Sequence, residues 1–294
     1  MAIFKGSGVA LATPMKDNFE VNYDKLEELV NFHIDNGTDA IIICGTTGES
    51  ATLSMEEHRA TIKACVEFAK GRIPVVAGTG SNNTKTAIQH TREAEEDGAD
   101  GLLIVTPYYN KATQTGLIKH YSMIADETKL PIILYNVPSR TGTNIAPETV
   151  AELIRTKENI VGLKEATGNM AQAIKTVNLC DGNIDLYSGE DGLVVPLMSI
   201  GAIGVISVIA NIAPKKTHDM VIDYLEGRHD VALKAQLEAL PLVDALFSEV
   251  NPIPVKTALN IMGKEVGPLR SPLCEMSDDN VKVLEQEMKK YGVI

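Results

Sequence analysis

The feature that most constrains this chain is a regular alternation of short apolar segments with segments of helical periodicity. The apolar segments are nearly continuous, which is typical of parallel strands covered by helices. They recur roughly every 30 residues, the usual length of a strand–helix–strand unit. The eight predicted strands are Gly8–Thr13, Ala40–Cys44, Pro74–Gly78, Gly101–Thr106, Pro131–Asn136, Ile160–Lys164, Ile184–Ser188 and Ile203–Ser207.

Helical patterns fill the intervals, for example at Tyr23–Asn36, Met55–Ala69 and Lys85–Asp97. Ser54 and Glu57 have the spacing of a capping box at the start of the second of these. Glycines stand where C-caps are expected, at Gly37, Gly71 and Gly98. Eight such units predict an α/β fold, a (β/α)8 TIM barrel, rather than an open sheet.

The chain continues well beyond the last predicted strand. We predict that residues 1–225 form the barrel and that residues 226–294 form a C-terminal helical extension packed on it, not an independent domain. The helical patterns after the last strand are Pro214–Glu226, Asp230–Leu246, Pro252–Met262 and Asp278–Lys290. Strands seven and eight start at residues 184 and 203, which leaves room only for a short helix between them.

Composition excludes several classes of partner. The net charge is −12 with no compensating basic cluster, so nucleic acid and anionic membranes are not expected as partners. The longest uncharged stretch, Gly192–Pro214, is broken by turn residues and predicts no membrane span, and the N-terminus lacks the pattern of a signal peptide. The cysteines, expected to be buried free thiols in the cytoplasm, are Cys44, Cys65, Cys180 and Cys274.

Because chemistry in this fold sits where the strands end, the residues after each strand are the candidates for a site. The second strand leads into the turn at residues 45–50, GTTGES, whose N–H and hydroxyl groups suit either an anion or a tight turn. The third leads into GTGSN at 78–82, where glycine permits close approach of a ligand or of a neighbouring strand.

The next strand ends carry aromatic and basic side chains. Tyr108 and Tyr109 follow the fourth strand and suit either proton relay or packing. Tyr135 ends the fifth strand. Arg140 follows it and suits either bidentate binding of a carboxylate or a surface position in a Pro-Ser turn. Lys164 closes the sixth strand, where burial would favour its neutral, nucleophilic form, although an ion pair with Glu165 is the alternative.

Together these motifs resemble the dihydrodipicolinate synthase family of pyruvate-dependent class I aldolases, which includes N-acetylneuraminate lyase. The resemblance covers essentially the whole chain. The matching motifs are GTTGES at 45–50, AGTGSN at 77–82, TPYYN at 106–110, YNVPSRTG at 135–142, GLKEATG at 162–168, GVISV at 204–208 and NPIPVK at 251–256.

The resemblance implies a catalytic set. Lys164 forms a Schiff base with pyruvate, and Tyr135 acts as the general acid and base. Thr46 and Tyr109 complete a hydroxyl relay to solvent, with Tyr109 reaching in from a neighbouring subunit. No metal and no organic cofactor is implied.

The resemblance also implies the substrate contacts. Thr47, Ile206 (through its backbone) and Gly189 bind pyruvate, while Arg140 binds the carboxylate of L-aspartate 4-semialdehyde. The implied reaction condenses the two into 4-hydroxy-tetrahydrodipicolinate, in lysine and diaminopimelate biosynthesis, within a homotetramer built as a dimer of dimers.

Two alternatives stay open at this point. The chain could be another pyruvate aldolase, cleaving N-acetylneuraminate or a 2-keto-3-deoxy sugar acid, because all of these share the pyruvate half of the site. Ser139 and Arg140 favour an aldehyde that bears its own carboxylate. A non-catalytic barrel is the second alternative, and retention of Lys164, Tyr135 and the two threonines argues against it.

Some relatives are inhibited by lysine at a dimer-interface site. The residues of this chain that match that site are Ser50, Ala51, His58, Asn82 and Tyr108. Two positions differ: Met55 replaces a histidine of the sensitive relatives, and Thr86 replaces a glutamate that binds the amino group of lysine.

We therefore predict weak or absent inhibition by lysine. Loss of a carboxylate partner costs a bound cation more than loss of a neutral hydrogen bond would. A steady-state assay at millimolar lysine checks this expectation, and strong inhibition would contradict it.

Overall fold

The eight predicted strands are present and close into a parallel barrel in the order of the sequence. The structure is a computed structural model that describes residues 2–294. Pairing of the first strand with the eighth, Gly8 opposite Ile206, closes the ring and confirms the (β/α)8 barrel. The strands are β1 (Gly6–Ala10), β2 (Ala40–Ile43), β3 (Val75–Gly78), β4 (Gly101–Val105), β5 (Ile132–Asn136), β6 (Ile160–Glu165), β7 (Asp185–Ser188) and β8 (Gly204–Ser207).

Helices surround the barrel and continue beyond it. Within residues 2–294 they are α1 (Tyr23–Asp35), α2 (Met55–Ala69), α3 (Thr84–Glu96), α4 (Gln114–Ala125), α5 (Pro138–Thr141), α6 (Pro147–Thr156), α7 (Met170–Leu179), α8 (Val194–Met198), α9 (Pro214–Leu225), α10 (His229–Leu246), α11 (Ile253–Ile261) and α12 (Asp278–Tyr291). The short connection predicted between strands seven and eight is α8. None of these helices is long and apolar enough to cross a membrane.

The strands are apolar on both faces because each face is buried against a different core. Ile42 of β2 lies in the cluster inside the barrel, whereas its neighbours Ile41 and Ile43 lie in the cluster between the barrel and the helices. This alternation follows from the two-residue period of a strand. Tyr135 of β5 belongs to the inner cluster, so its ring lies inside the barrel.

The predicted helix signals are confirmed. Ser54 accepts a hydrogen bond from the Glu57 N–H, and the Glu57 carboxylate accepts one from the Ser54 N–H, which completes the capping box of α2. Gly37, Gly71 and Gly98 follow the ends of α1, α2 and α3 with φ angles of 77°, 68° and 88°. A side chain is strained in that region, which explains the glycines.

Two predictions were wrong in detail. The first strand was expected at Gly8–Thr13 but runs from Gly6 to Ala10. Its predicted end has left the sheet, because the Ala12 N–H donates to Asn211 Oδ1 at 3.0 Å instead of to a strand. All four cysteines were expected to be buried; three are, but Cys274 is exposed.

The last helices pack against the barrel through specific polar contacts. Gln236 of α10 donates to the Asp191 carbonyl at 2.8 Å and accepts from the Val195 N–H at 3.1 Å. Lys256 of α11 forms a buried ion pair with Glu49 beyond β2. The division of the chain at residue 225 into barrel and extension remains our proposal, and these contacts support an extension that is packed on the barrel.

The glycine motif after β3 serves close strand packing. A Cβ at Gly78 would lie 2.4 Å from the Cys44 carbonyl oxygen, and one at Gly80 would lie 2.6 Å from the Val105 nitrogen. Side-chain atoms do not approach backbone atoms so closely. The neighbouring strand, rather than a ligand, therefore accounts for these two glycines.

We expect Gly78→Ala to lower the free energy of unfolding by about 1–3 kcal/mol, because the backbone of two strands would have to move apart. Gly116→Ala in α4 is the matched control: its Cβ would meet only ordinary contacts, the nearest at 3.4 Å from Thr113 Oγ1. Chemical denaturation of both variants measures the difference. Equal stability of the two variants would contradict the packing argument.

Candidate active site

Two polar side chains stand side by side at the carboxyl ends of adjacent strands. Tyr135 of β5 is paired in register with Lys164 of β6. The Lys164 Nζ lies 4.3 Å from the centroid of the Tyr135 ring. Both side chains are almost entirely buried, with 6% and 7% of Lys164 and Tyr135 exposed. The barrel thus brings an amine and a phenol together inside its mouth.

Burial disfavours the protonated, charged form of the Lys164 amine. Burial lowers the pKa of Lys164 to about 8, although the negative charges of Asp191 and Glu190 act in the opposite direction. The positive charge of Arg140 lowers it further. A substantial fraction of the amine is therefore neutral near pH 8, and a neutral amine is the form that attacks a carbonyl carbon.

The Tyr135 phenol is held in its protonated form. Burial raises the pKa of Tyr135 to about 12, which the Arg140 charge and the nearby Thr46 side chain partly offset. A neutral hydroxyl can both donate and accept a hydrogen bond. This group is therefore suited to pass a proton between a reacting oxygen and a second hydroxyl.

A cavity of about 160 Å³ opens beside the amine. This is small compared with the roughly 300–1,000 Å³ of pockets for drug-sized ligands, and it suits a compact metabolite. Its lining residues are Ala10, Ile42, Gly45, Thr46, Thr47, Leu103, Tyr135, Val137, Ser139, Arg140, Lys164, Ala166, Gly189, Glu190, Val208, Phe247 and Asn251. Six of the eight predicted site residues, namely Lys164, Tyr135, Thr46, Thr47, Arg140 and Gly189, lie in this lining.

The turn after β2 forms one wall of the cavity. The N–H groups of Gly48, Glu49 and Ser50 donate to carbonyl oxygens within the turn itself. Thr46 and Thr47 contribute hydroxyl groups to the cavity, and Thr47 Oγ1 accepts a hydrogen bond from Asn251 Nδ2 at 3.0 Å. The threonine hydroxyl groups, and not these three N–H groups, are therefore the polar groups that this wall offers to a ligand.

Arg140 stands at the outer edge of the same cavity. It belongs to α5, the short helix that begins two residues after β5, and its side chain is exposed. Its Nη2 donates to the Asn251 carbonyl at 3.3 Å. The guanidinium group is therefore oriented at the mouth, where it can meet a carboxylate that enters from solvent.

Gly189 leaves the space that the Lys164 side chain needs. A Cβ at this position would lie 2.7 Å from the Ala166 Cβ and 3.1 Å from the Lys164 Cε. Gly189 therefore contributes to the site by having no side chain, which leaves room for Lys164 and Ala166.

Two predicted site residues do not line the cavity. Tyr109 is 88% exposed and has a φ of 74°. Ile206 of β8 is 1% exposed within the inner core, and Val208, two residues further on, reaches the cavity instead. The role predicted for Ile206 concerns its backbone and not its side chain.

Sequence reasoning missed other lining residues. Asn251 was recognised only as part of a motif, although it contacts both Thr47 and Arg140. Glu190 and Phe247 were not singled out at all. The polar start of the NPIPVK motif was the available signal for Asn251; nothing in the local pattern pointed to Phe247.

A second cavity of about 480 Å³ shares Thr46, Tyr135 and Arg140 with the first. Four of the five residues that match the lysine site of the relatives line it, namely Ser50, Ala51, His58 and Tyr108. Thr86 lines it as well. The loss of inhibition by lysine stays a prediction.

A barrel whose mouth holds a buried amine of lowered pKa beside a protonated phenol defines an enzyme of the class I aldolase type. The model of the dihydrodipicolinate synthetase family matches residues 3–291, and the chain belongs to that family.

Individual relatives agree with this assignment. The 4-hydroxy-tetrahydrodipicolinate synthase of Lachnoclostridium phytofermentans is 60% identical over 294 residues, which cover 100% of both chains. The enzyme of the same name from Clostridium tetani is 53% identical, again over 100% of both. The crystal structure of dihydrodipicolinate synthase from Aquifex aeolicus is 46% identical, with 99% of each chain covered and a TM-score of 0.97.

The chain is thus a lyase. Its function is the synthesis of 4-hydroxy-tetrahydrodipicolinate in lysine and diaminopimelate biosynthesis.

Proposed function

We propose that Lys164 forms a Schiff base with pyruvate and that the resulting enamine attacks L-aspartate 4-semialdehyde. One observation carries this proposal: the Lys164 amine is buried, lowered in pKa to about 8 and placed 4.3 Å from the Tyr135 ring, at a cavity of small size. A lysine with no chemical task would not be expected to stand unpaired in such a place.

The proposed steps balance without a cofactor. Lys164 Nζ attacks the keto carbon of pyruvate, and loss of water gives the iminium ion. Loss of a proton from the methyl group gives the enamine, whose carbon attacks the aldehyde carbon of the semialdehyde. The amino group of the semialdehyde then attacks the iminium carbon, which closes the ring and releases the Lys164 amine.

Tyr135 serves each of these proton transfers in our proposal. It donates a proton to the hydroxyl that leaves as water, and it accepts one when the adduct forms. Its neutral state, favoured by burial, supports this role. Thr46 lies in the same cavity and would pass protons between Tyr135 and Tyr109.

The carboxylate of pyruvate is proposed to bind at the turn after β2. Thr47 and the backbone of Ile206 would hold it, and Gly189 would leave the space for pyruvate bound to Lys164. The hydroxyl of Thr47 in the cavity wall supports this placement. Val208, two residues beyond Ile206, lines the cavity, so the end of β8 reaches the same space.

A homotetramer, a dimer of dimers, is proposed for the assembly. Tyr109 lies outside the cavity of its own subunit and is 88% exposed, as a residue that completes a neighbour's relay would be. Helix α10 also has an exposed apolar surface, which could serve a further contact between subunits. It carries Leu233, Leu237 and Leu240, which are 46%, 60% and 39% exposed. We place the enzyme in the cytoplasm, where its free thiols would stay reduced.

Trapping with borohydride in the presence of pyruvate should reduce an adduct onto Lys164. The adduct should vanish in Lys164→Ala, while the exposed Lys234→Ala should retain it as a control. Because only the neutral amine reacts, the trapping rate should rise about tenfold per pH unit below the pKa and level off above about pH 8. Peptide mapping and the pH profile measure both; a labelled residue other than Lys164 would refute the proposal.

Arg140→Ala should impair use of the semialdehyde and spare the pyruvate adduct. Loss of a bidentate carboxylate contact is expected to raise KM for the semialdehyde about tenfold to a hundredfold. The exposed Arg155→Ala serves as the control for lost positive charge. Equal loss of adduct formation and of semialdehyde use would remove the role assigned to Arg140.

A further inference from the structure

We infer that Glu49 and Lys256 are positioning residues for the turn that receives the pyruvate carboxylate. The inference rests on the proposed function, because it concerns the same subsite. Neither residue lines the cavity beside Lys164, so both would act through the backbone and the threonines of the turn.

The pair is enclosed, and each of its two charged groups has two polar partners. The side chains of Lys256 and Glu49 are 1% and 0% exposed, and Lys256 Nζ lies 2.8 Å from Glu49 Oε1. Lys256 Nζ also donates to the Pro268 carbonyl at 2.5 Å. The second carboxylate oxygen, Glu49 Oε2, accepts from the Arg270 N–H at 2.9 Å. Both oxygens of the carboxylate are therefore fixed by residues of the C-terminal extension.

Stability alone is a poor explanation for this pair. Removing two charges from water costs much of what their attraction returns, so apolar side chains would fill the same space as well or better. Burial does lower the pKa of Lys256, and the charge of Glu49 opposes this effect. A buried pair of this kind is better explained by the geometry that it imposes.

The Glu49–Lys256 pair constrains the backbone of the turn at residues 45–50. Glu49 has a φ of 55°, in the left-handed region that a residue with a side chain rarely adopts. Its N–H donates to the Thr46 carbonyl at 3.1 Å, and its neighbour Gly48 donates to the Gly45 carbonyl at 3.1 Å. Anchoring the Glu49 side chain therefore fixes the end of the loop that carries Thr46 and Thr47.

The extension holds the same loop at a second point. Asn251 donates to Thr47 Oγ1 at 3.0 Å and accepts from Arg140 through its carbonyl oxygen at 3.3 Å. Arg270 also binds the Glu57 carboxylate in the first turn of α2, through two bonds of 2.7 Å and 2.5 Å. The turn is thus fastened on both sides by residues more than 200 positions away in the sequence.

The test is a double-mutant cycle on Glu49→Gln, Lys256→Met and the paired variant, assayed with pyruvate. Displacement of Thr47 should raise KM for pyruvate about tenfold or more, and displacement of Thr46 from the proposed proton relay should lower kcat as well. Because Lys256 acts through Glu49, the paired variant should show about the same KM as either single variant, not the product of the two effects. Borohydride trapping at limiting pyruvate gives the same comparison without the second substrate.

Leu284→Ala is the control for lost stability, because Leu284 is fully buried in α12, away from the turn. It should lower the melting temperature and leave KM for pyruvate unchanged. If either single variant does not fold, the paired variant still decides the matter, because removal of both charges leaves no unpaired buried ion. A raised KM for pyruvate in the folded paired variant supports the inference, and a normal KM overturns it.

A normal KM for pyruvate in the folded variants, or independent effects that multiply in the pair, would overturn the inference. Failure of the unmodified enzyme to form a Lys164 adduct would instead refute the proposed function. The two failures are therefore distinguishable.

Discussion

The structure depends above all on the pairing of β5 with β6, which runs without interruption from Ile133 to Asn136 after a register shift at Ile132. That pairing puts Tyr135 beside Lys164, and the two-residue period of each strand turns both side chains into the barrel. A shift of one residue in either strand would send one of them outward, into the layer of helices. Closure of the barrel through β1 and β8 leaves no strand at an edge.

Two opposed electrostatic effects set the pKa of the Lys164 amine inside the barrel. Burial lowers the pKa of Lys164, while two acidic neighbours raise it. One of them, Asp191, is itself almost fully buried and accepts hydrogen bonds from the N–H groups of Val208 and Ile209, each at 2.9 Å. The same carboxylate thus holds the backbone that follows β8 and raises the pKa of Lys164 through its charge. Asp191 therefore affects both the backbone after β8 and the ionisation of Lys164.

Most of the barrel could be predicted from the sequence because its signals are local: apolar runs, caps and strand-end residues. Tyr135, Lys164 and Arg140 were recognisable because each follows directly from its own strand. Asn251 was not, since its contacts with Thr47 and Arg140 span 204 and 111 residues and no local pattern encodes them. The end of β1 was misplaced for a similar reason: the partner of Ala12 is Asn211, which is 199 residues away in the sequence.

The long reach of the C-terminal contacts bears on how the enzyme comes into being. Every residue that we assign to the chemistry has been synthesised once Val208 has been added, and a ring of eight strands can then close. The loop at residues 45–50 still lacks Asn251, Lys256 and Arg270 at that moment. The residues that fasten this loop therefore follow every strand of the barrel in the sequence. The strands carry the reactive groups, and the C-terminal segment holds the loop beside them.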